Sequence, residues 1–156
     1  MPVEFKLNGR DVVAHAGETI IQTARRHGIE IPHLCFKEGL RPDGNCRACM
    51  VEVKGERVLA PACCRKPTQG MDVVTDNPRS LASQKMVLEL LLADMPRERH
   101  TLDSELDHWA NVLKVGKPRF ASRHQPPADL SHTGIAVNLD SASSARAVCA
   151  PAARSR

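Results

Sequence analysis

Cysteine is the residue type of this 156-residue chain best suited to chemistry, and four of its six cysteines are clustered. Their spacing is Cys35-x10-Cys46-x2-Cys49-x13-Cys63. Cys46 and Cys49 can hold one metal ion from two neighbouring loop positions, while Cys35 and Cys63 approach from either side. Residues 34–49 are rich in Gly, Pro, Asp and Asn, which disfavour helix and strand. These cysteines therefore predict a metal-binding loop.

Three kinds of site compete for four such cysteines. A binuclear iron–sulfur centre needs two thiolates per iron, backbone N–H groups facing sulfur, and small residues that let the loop wrap closely. Gly39, Gly44, Asn45 and Ala48 supply the small residues. A structural zinc site usually pairs two short Cys-x2-Cys units, of which this chain has one. Unrelated buried thiols would not cluster in one Gly-rich segment. We interpret the cysteines as ligands of a [2Fe-2S] cluster, with a zinc-stabilised binding module without redox role as the alternative.

The elements around this loop predict a small sheet with one helix. Residues 3–7 alternate between apolar and polar side chains, Asn8-Gly9 favours a tight hairpin, and residues 10–14 form the return strand. Thr19 is a plausible N-cap of a helix that Gly28 ends. Further elements are predicted as strands over residues 50–53, 57–60 and 71–75 and a helix over 80–93.

The second half of the chain has a different character. A helix over residues 104–114 carries the single tryptophan, Trp109, and residues 135–139 have the pattern of one strand. Proline and scattered polar residues elsewhere indicate a linker, and the Ala/Ser/Arg-rich residues 141–156 have no periodicity and are predicted to be disordered. The fold class predicted is α+β, with a largely irregular C-terminal tail.

Composition excludes several classes of function. The net charge is +4 and aromatics make up 3%, without a dense Lys/Arg stripe, so we expect no nucleic-acid partner. The absence of a run of about 18 apolar residues argues against membrane insertion. The first ten residues lack the apolar region of a secretory signal, which predicts a cytoplasmic protein with reduced thiols. We found no nucleophile–base pair, P-loop or dinucleotide glycine motif, so no catalytic site of its own is predicted.

Four segments carry a resemblance to a known family: Ile31–Cys35, Gly44–Val53, Pro61–Cys63 and Gly70-Met71. Together they resemble the N-terminal [2Fe-2S] ferredoxin-like domain of the large peripheral subunit of complex I. The same domain begins iron hydrogenases and the alpha subunits of NAD-linked formate dehydrogenases. The resemblance implies a β-grasp fold and assigns the cluster ligands, which are Cys35, Cys46, Cys49 and Cys63.

The resemblance also implies an organisation of the whole chain. Residues 1–78 would be the ferredoxin-like domain, 79–116 a helical extension, and 117–156 a linker and tail. The partners implied are other iron–sulfur or flavin subunits of an NAD-linked oxidoreductase, in which the domain transfers single electrons.

The helical extension departs from the family in its cysteine content. The family continues with a second cluster, whose histidine would fall near Asp94 and last cysteine near Ser104. This chain has no cysteine between Cys64 and Cys149, and His100 would stand alone, as a solvated side chain. The departure favours a formate dehydrogenase-like parent over complex I.

Two further cysteines need an interpretation. Cys64 is predicted to be a bystander that points away from the cluster, because successive side chains of an extended chain point oppositely. Cys149 stands where the family's next module would place Cys-x2-Cys-x2-Cys-x3-Cys. In one permissible codon set, a single base inserted after the codon of Ser141 restores that motif. The pattern predicts a truncated, frameshifted tail, and the alternative is a natural Ala/Ser/Arg-rich tail.

Overall fold

The structure is a computed structural model that describes residues 2–95, 104–122, 127 and 129–137. Its described residues belong to two compact units, divided between Val87 and Leu88. The helices and strands, in chain order, are β1 Val3–Leu7, β2 Arg10–Ala14, α1 Ile20–Arg26, β3 Met50–Val53, β4 Ala60–Pro61, β5 Asp72–Val74, α2 Pro78–Asp94, α3 Glu105–Val112, β6 Asp129–His132 and β7 Ile135–Val137.

The first unit is built on a mixed five-stranded sheet of order β2-β1-β5-β3-β4. β1 pairs antiparallel with β2 and parallel with β5, while β3 pairs antiparallel with both β5 and β4. The β1–β2 hairpin turns at Asn8 and Gly9, whose φ angles of 51° and 78° both lie in the left-handed region. The mixed sheet with α1 packed against it is the predicted β-grasp arrangement, and the predicted α+β fold class is confirmed.

The α1 helix begins and ends where the sequence predicts. Thr19 is the N-cap, and its backbone N–H donates to Oε1 of Gln22 at 3.0 Å. Gly28 follows the helix with φ +71°, a conformation that a residue without Cβ adopts at no steric cost. Ile20, Ile21 and other apolar residues of α1 are buried. They join one core cluster with buried side chains of the sheet, among them Phe5, Leu7, Val12, Val51, Val53 and Val73.

One predicted strand is wrong in extent. The return strand expected over residues 57–60 is reduced to Ala60–Pro61, which pairs with β3. The carbonyl of Arg57 accepts a hydrogen bond from the Arg79 guanidinium, and Val58 is 66% exposed, so this stretch has neither ladder nor core to join. Pro61 has no N–H to extend the ladder.

The α2 helix covers the predicted range 80–93 and begins two residues earlier, at Pro78. The backbone N–H of Ser80 donates to Oδ1 of Asn77 at 2.8 Å, which satisfies one of the free N–H groups at the helix start. Gln84 of the same helix is buried and donates from Nε2 to the carbonyl of Met50 at 2.9 Å. This bond ties α2 to β3, the strand that directly follows the cysteine loop.

The second unit contains α3 and the β6–β7 hairpin. Ser104 caps α3, and Leu106, Trp109 and Ala110 are the buried side chains of that helix. Glu89 and Arg119 form a two-point ion pair, with Nε–Oε1 and Nη2–Oε2 distances of 2.8 Å each. The hydrogen bonds from Arg119 hold the pKa of Glu89 down at about 2.

The predicted linker is more ordered than expected. Residues 129–137 form a two-stranded antiparallel sheet, so the expected single strand over 135–139 is the second half of a hairpin. His100 and residues 138–156, including Cys149, lie outside the described residues. Among the described helices, none is long and apolar enough to cross a membrane.

Candidate metal centre

The fold brings the four predicted ligand cysteines into mutual contact. The thiol of Cys35 lies near enough to those of Cys46 and Cys63 for both of them to lower its pKa, and the thiol of Cys63 likewise lowers the pKa of Cys49. Cys49 and Cys63 are fully buried, Cys35 is 5% exposed and Cys46 is half-buried. Sulfur atoms far apart in sequence therefore form one cluster, shielded from water on the side of Cys49 and Cys63 and closer to the surface at Cys46.

The N-terminus of α1 positions the segment that carries Cys63. The backbone N–H of Ile20 donates to the carbonyl of Arg65 at 2.9 Å, and that of Ile21 donates to the carbonyl of Ala62 at 3.0 Å. The N–H of Ala62 in turn donates to the carbonyl of Cys49 at 3.0 Å. The first N–H groups of a helix have no partner inside the helix. Here they hold both sides of the Cys63 turn, and the N–H of Ala62 links that turn to the loop.

The loop around Cys35 is fixed against the same helix by side chains. Arg25 lies 5.8 Å from the ring centre of Phe36, and His33 meets that ring edge-on at 5.7 Å. Gln22 donates from Nε2 to Oε1 of Glu38 at 3.0 Å. One face of α1 thus holds the residues on either side of Cys35.

Three left-handed backbone positions let the loop wrap around the sulfurs. Gly39, Gly44 and Arg47 have φ angles of 79°, 65° and 58°. Arg47 lies between Cys46 and Cys49, so its conformation sets the course of the backbone between these two cysteines. A non-glycine residue in this region is uncommon and is kept only where the surroundings enforce it.

Backbone N–H groups face the sulfurs, as the interpretation of an iron–sulfur loop requires. Those of Cys46 and Asn45 donate to the thiol sulfur of Cys35, and that of Ala48 donates to Cys46. The N–H of Cys63 donates to the sulfur of Cys49. Each of these bonds lowers the pKa of its thiol, because it stabilises the negative charge of the thiolate.

Contacts among the thiols lower the pKa of two of them and raise the pKa of the other two. Hydrogen bonds from Cys46 and then Cys63 lower the pKa of Cys35, and the bond from Cys63 lowers the pKa of Cys49. The contact with Cys35 raises the pKa of Cys46, and contacts with Cys35 and then Cys49 raise the pKa of Cys63. A thiol loses its proton when it binds a metal ion. These four neighbouring thiols can therefore exchange their protons for metal ions.

The arrangement fits a binuclear centre. A [2Fe-2S] cluster takes two thiolates per iron, and the two irons are separated by bridging sulfides. Pairwise sulfur contacts, N–H groups facing sulfur and left-handed loop positions are the features that such a group requires.

The thiol of Cys64 lies closer to the proposed cluster ligands than the sequence predicts. Its thiol was expected to point away, yet its Sγ lies 3.6 Å from Sγ of Cys63. Residues 62–64 form a turn, closed by hydrogen bonds from the N–H groups of Cys64 and Arg65 to the carbonyl of Pro61 at 3.0 and 2.9 Å. The alternation of side chains holds for extended chain only. Pro61, directly before these residues, was the available signal for a turn.

The region where the family carries its second cluster is used for helix capping in this chain. Oγ of Ser104 accepts from the backbone N–H of Asp107 at 3.1 Å and donates to Oδ2 of Asp107 at 2.6 Å. Asp94 is the last residue of α2. The position where the family would place a cysteine therefore starts a helix instead.

Known proteins share sequence with this chain over about three quarters of its length. The chain is 33% identical over 122 residues to a NADH-quinone oxidoreductase protein of Rhizobium meliloti, covering 76% of this chain and 14% of that protein. It is 42% identical over 121 residues to the mitochondrial NADH-ubiquinone oxidoreductase 78 kDa subunit of Neurospora crassa, covering 75% and 16%. The chain thus spans a small part of the length of these curated relatives.

A solved structure shares the fold. A chain of an NAD+-reducing [NiFe]-hydrogenase, crystallised in the H2-reduced state, superposes with a TM-score of 0.74 at 25% identity. The match covers 84% of this chain and 57% of the hydrogenase chain. The family described as "2Fe-2S iron-sulfur cluster binding domain" matches residues 1–78, which include all four clustered thiols. The chain therefore belongs to the family of 2Fe-2S iron-sulfur cluster binding domains.

Proposed function

We propose that Cys35, Cys46, Cys49 and Cys63 hold the [2Fe-2S] cluster and that the chain relays single electrons through it. The observation that carries the assignment is the mutual contact of these four thiols, with backbone N–H groups directed at their sulfurs. When bound, a [2Fe-2S] cluster takes up and returns one electron, alternating between Fe(III)Fe(III) and Fe(II)Fe(III).

The residues of the chain would contribute positioning and electrostatics. On binding iron, the four thiols would release their protons to solvent, and the N–H groups of Asn45, Cys46 and Ala48 would compensate the negative charge that remains on sulfur. Partial positive charge near sulfur favours the more negative, reduced state of the cluster. The core behind Cys49 and Cys63 keeps water from that side.

The exposed rim of the loop gives a redox partner its approach. Arg41, Asn45 and Arg47 are exposed, and Cys46 is the least buried of the four thiols. Electrons would therefore enter and leave on the Cys46 side. No proton transfer or substrate pocket takes part in such a step.

The relatives indicate the setting in which the domain works. Two of them are named as parts of NADH-quinone and NADH-ubiquinone oxidoreductase, and the solved structure is an NAD+-reducing hydrogenase. We propose that this chain likewise passes electrons to or from other iron–sulfur or flavin subunits of an NAD-linked oxidoreductase in the cytoplasm. A formate dehydrogenase-like parent remains our prediction, based on the missing second-cluster cysteine.

The test is metal and sulfide content with EPR on the full chain, purified without oxygen. The wild type should be red-brown, with two irons and two sulfides per chain and a one-electron EPR signal after reduction. Cys35→Ala, Cys46→Ala, Cys49→Ala and Cys63→Ala should each lose most of the iron, whereas Cys64→Ala should retain it. A colourless chain with one zinc would support the zinc-stabilised binding module instead.

A further inference from the structure

A second thiol accompanies Cys63, one of the two fully buried ligands of the proposed cluster. Sγ of Cys64 lies 3.6 Å from Sγ of Cys63, within reach of a hydrogen bond between two sulfur atoms. Cys63 is fully buried whereas Cys64 is exposed. The turn that starts at Pro61 fixes the pair, because the N–H groups of both Cys64 and Arg65 donate to its carbonyl.

The loop opposite leaves a place for this thiol. A Cβ at Gly44 would come within 2.9 Å of Sγ of Cys64, closer than real Cβ atoms approach a neighbour. The side chain of Pro61 would lie 3.9 Å from the same Cβ. The sulfur of Cys64 therefore fills the space that a side chain at position 44 would take. An exposed thiol is in this way confined between the loop that carries Cys46 and the sulfur of Cys63.

Ligation of iron by Cys63 would give the two sulfurs different roles. A ligand thiolate at Cys63 would have lone pairs and no S–H, whereas a cysteine thiol is a weak S–H donor. The bond between them therefore has a fixed direction, from Cys64 to Cys63. Hydrogen bonds to the ligand sulfurs are among the factors that set the potential of an iron–sulfur cluster, since they stabilise its reduced, more negative state.

We propose that Cys64 donates its S–H to the thiolate of Cys63 and so raises the reduction potential of the cluster. The inference rests on the proposed function, in which Cys63 is a ligand. Cys64 is thus a tuning residue, which touches a ligand and not the metal. Reduction adds one electron from an external donor to the cluster, breaks no bond at Cys64 and moves no proton.

The experiment compares Cys64→Ala with Cys64→Ser in the full chain by redox titration followed by EPR. Alanine removes the donor and serine replaces it with a hydroxyl, at similar size. We expect the alanine variant to show a three- to tenfold smaller equilibrium constant for reduction, a fall of about 28 to 59 mV for a one-electron couple. The serine variant should recover at least half of that fall. Pulsed ENDOR should show, in wild type and serine, a proton coupling in H2O that disappears in D2O, and no such coupling in alanine.

Each other outcome refutes a defined part of the reasoning. An unchanged potential in Cys64→Ala, or equal potentials in the alanine and serine variants, would show that Cys64 donates no hydrogen bond. A higher reduction potential in Cys64→Ala would show that the Cys64 side chain acts by keeping water from the cluster, because water that reaches the cluster stabilises its reduced state. Loss of iron from Cys64→Ala would make Cys64 a ligand and overturn the inference. Full iron content in Cys63→Ala would instead overturn the proposed function.

Discussion

The substitution Gly44→Ala in the cysteine loop should destabilise the loop in two ways, by backbone strain and by a steric conflict. Gly44 has φ +65°, and a Cβ there would approach Sγ of Cys64 to 2.9 Å. Gly39, in the same loop, has φ +79°, but a Cβ there would meet no atom within 4 Å. Gly44→Ala therefore combines backbone strain with a steric conflict, whereas Gly39→Ala has backbone strain alone.

The magnitudes follow from these two terms. A residue with a Cβ in the left-handed region costs about 1–2 kcal/mol, which applies to both variants. Moving the Cys64 side chain out of its rotamer adds about 0.5–1.5 kcal/mol in Gly44→Ala only. A factor of ten in rate corresponds to about 1.4 kcal/mol. Any process that requires the loop to open should therefore be ~2- to 12-fold faster in Gly44→Ala than in Gly39→Ala.

The assay is the rate at which the visible absorbance bleaches in air at a fixed temperature. Cluster loss is irreversible, so stability is expressed here as a rate. Both variants should bleach faster than wild type, and Gly44→Ala fastest. The Cys64→Ala background lacks the obstructing sulfur. In that background, Gly44→Ala should increase the bleaching rate by no more than Gly39→Ala increases it. Equal rates for the two single variants, or an excess that persists in that background, would refute the reasoning.

Two further predictions concern stability. Hydrogen bonds from Arg26 hold the pKa of Glu18 at about 2, below its usual 4.5, so the pair stabilises the fold above pH 4.5 and this contribution disappears as pH falls toward 2. Calorimetry should therefore show that Glu18→Gln unfolds at a temperature a few degrees below that of wild type, and that this difference is the same from pH 7 to 5.5. A difference in unfolding temperature that shrinks within this pH range would contradict the assignment. Limited proteolysis should trim the chain to an end between residues 96 and 120 with its colour intact. Rapid cleavage within residues 50–62 of the metal-loaded protein would count against the fold.

Local rules sufficed for much of the first unit. Alternation over residues 3–7 and the Asn8-Gly9 pair predict the first hairpin, because strand period and turn conformation depend on neighbours in sequence. Thr19 and Gly28 mark the ends of α1 for the same reason. The spacing of the four cysteines, with the small residues between them, already indicates the kind of centre, since ligand number and loop composition are properties of the sequence.

Tertiary structure decided how those cysteines are held. The N–H groups of Ile20 and Ile21 fix the Cys63 turn, although α1 is far from Cys63 in sequence, because only packing brings a helix end to a distant carbonyl. The position of Cys64 depends on the turn at Pro61 and on the space left by Gly44, so a rule for extended chain placed its thiol wrongly. The sequence determines which sulfurs are available, and the packing of helix, loop and turn determines which of them touch.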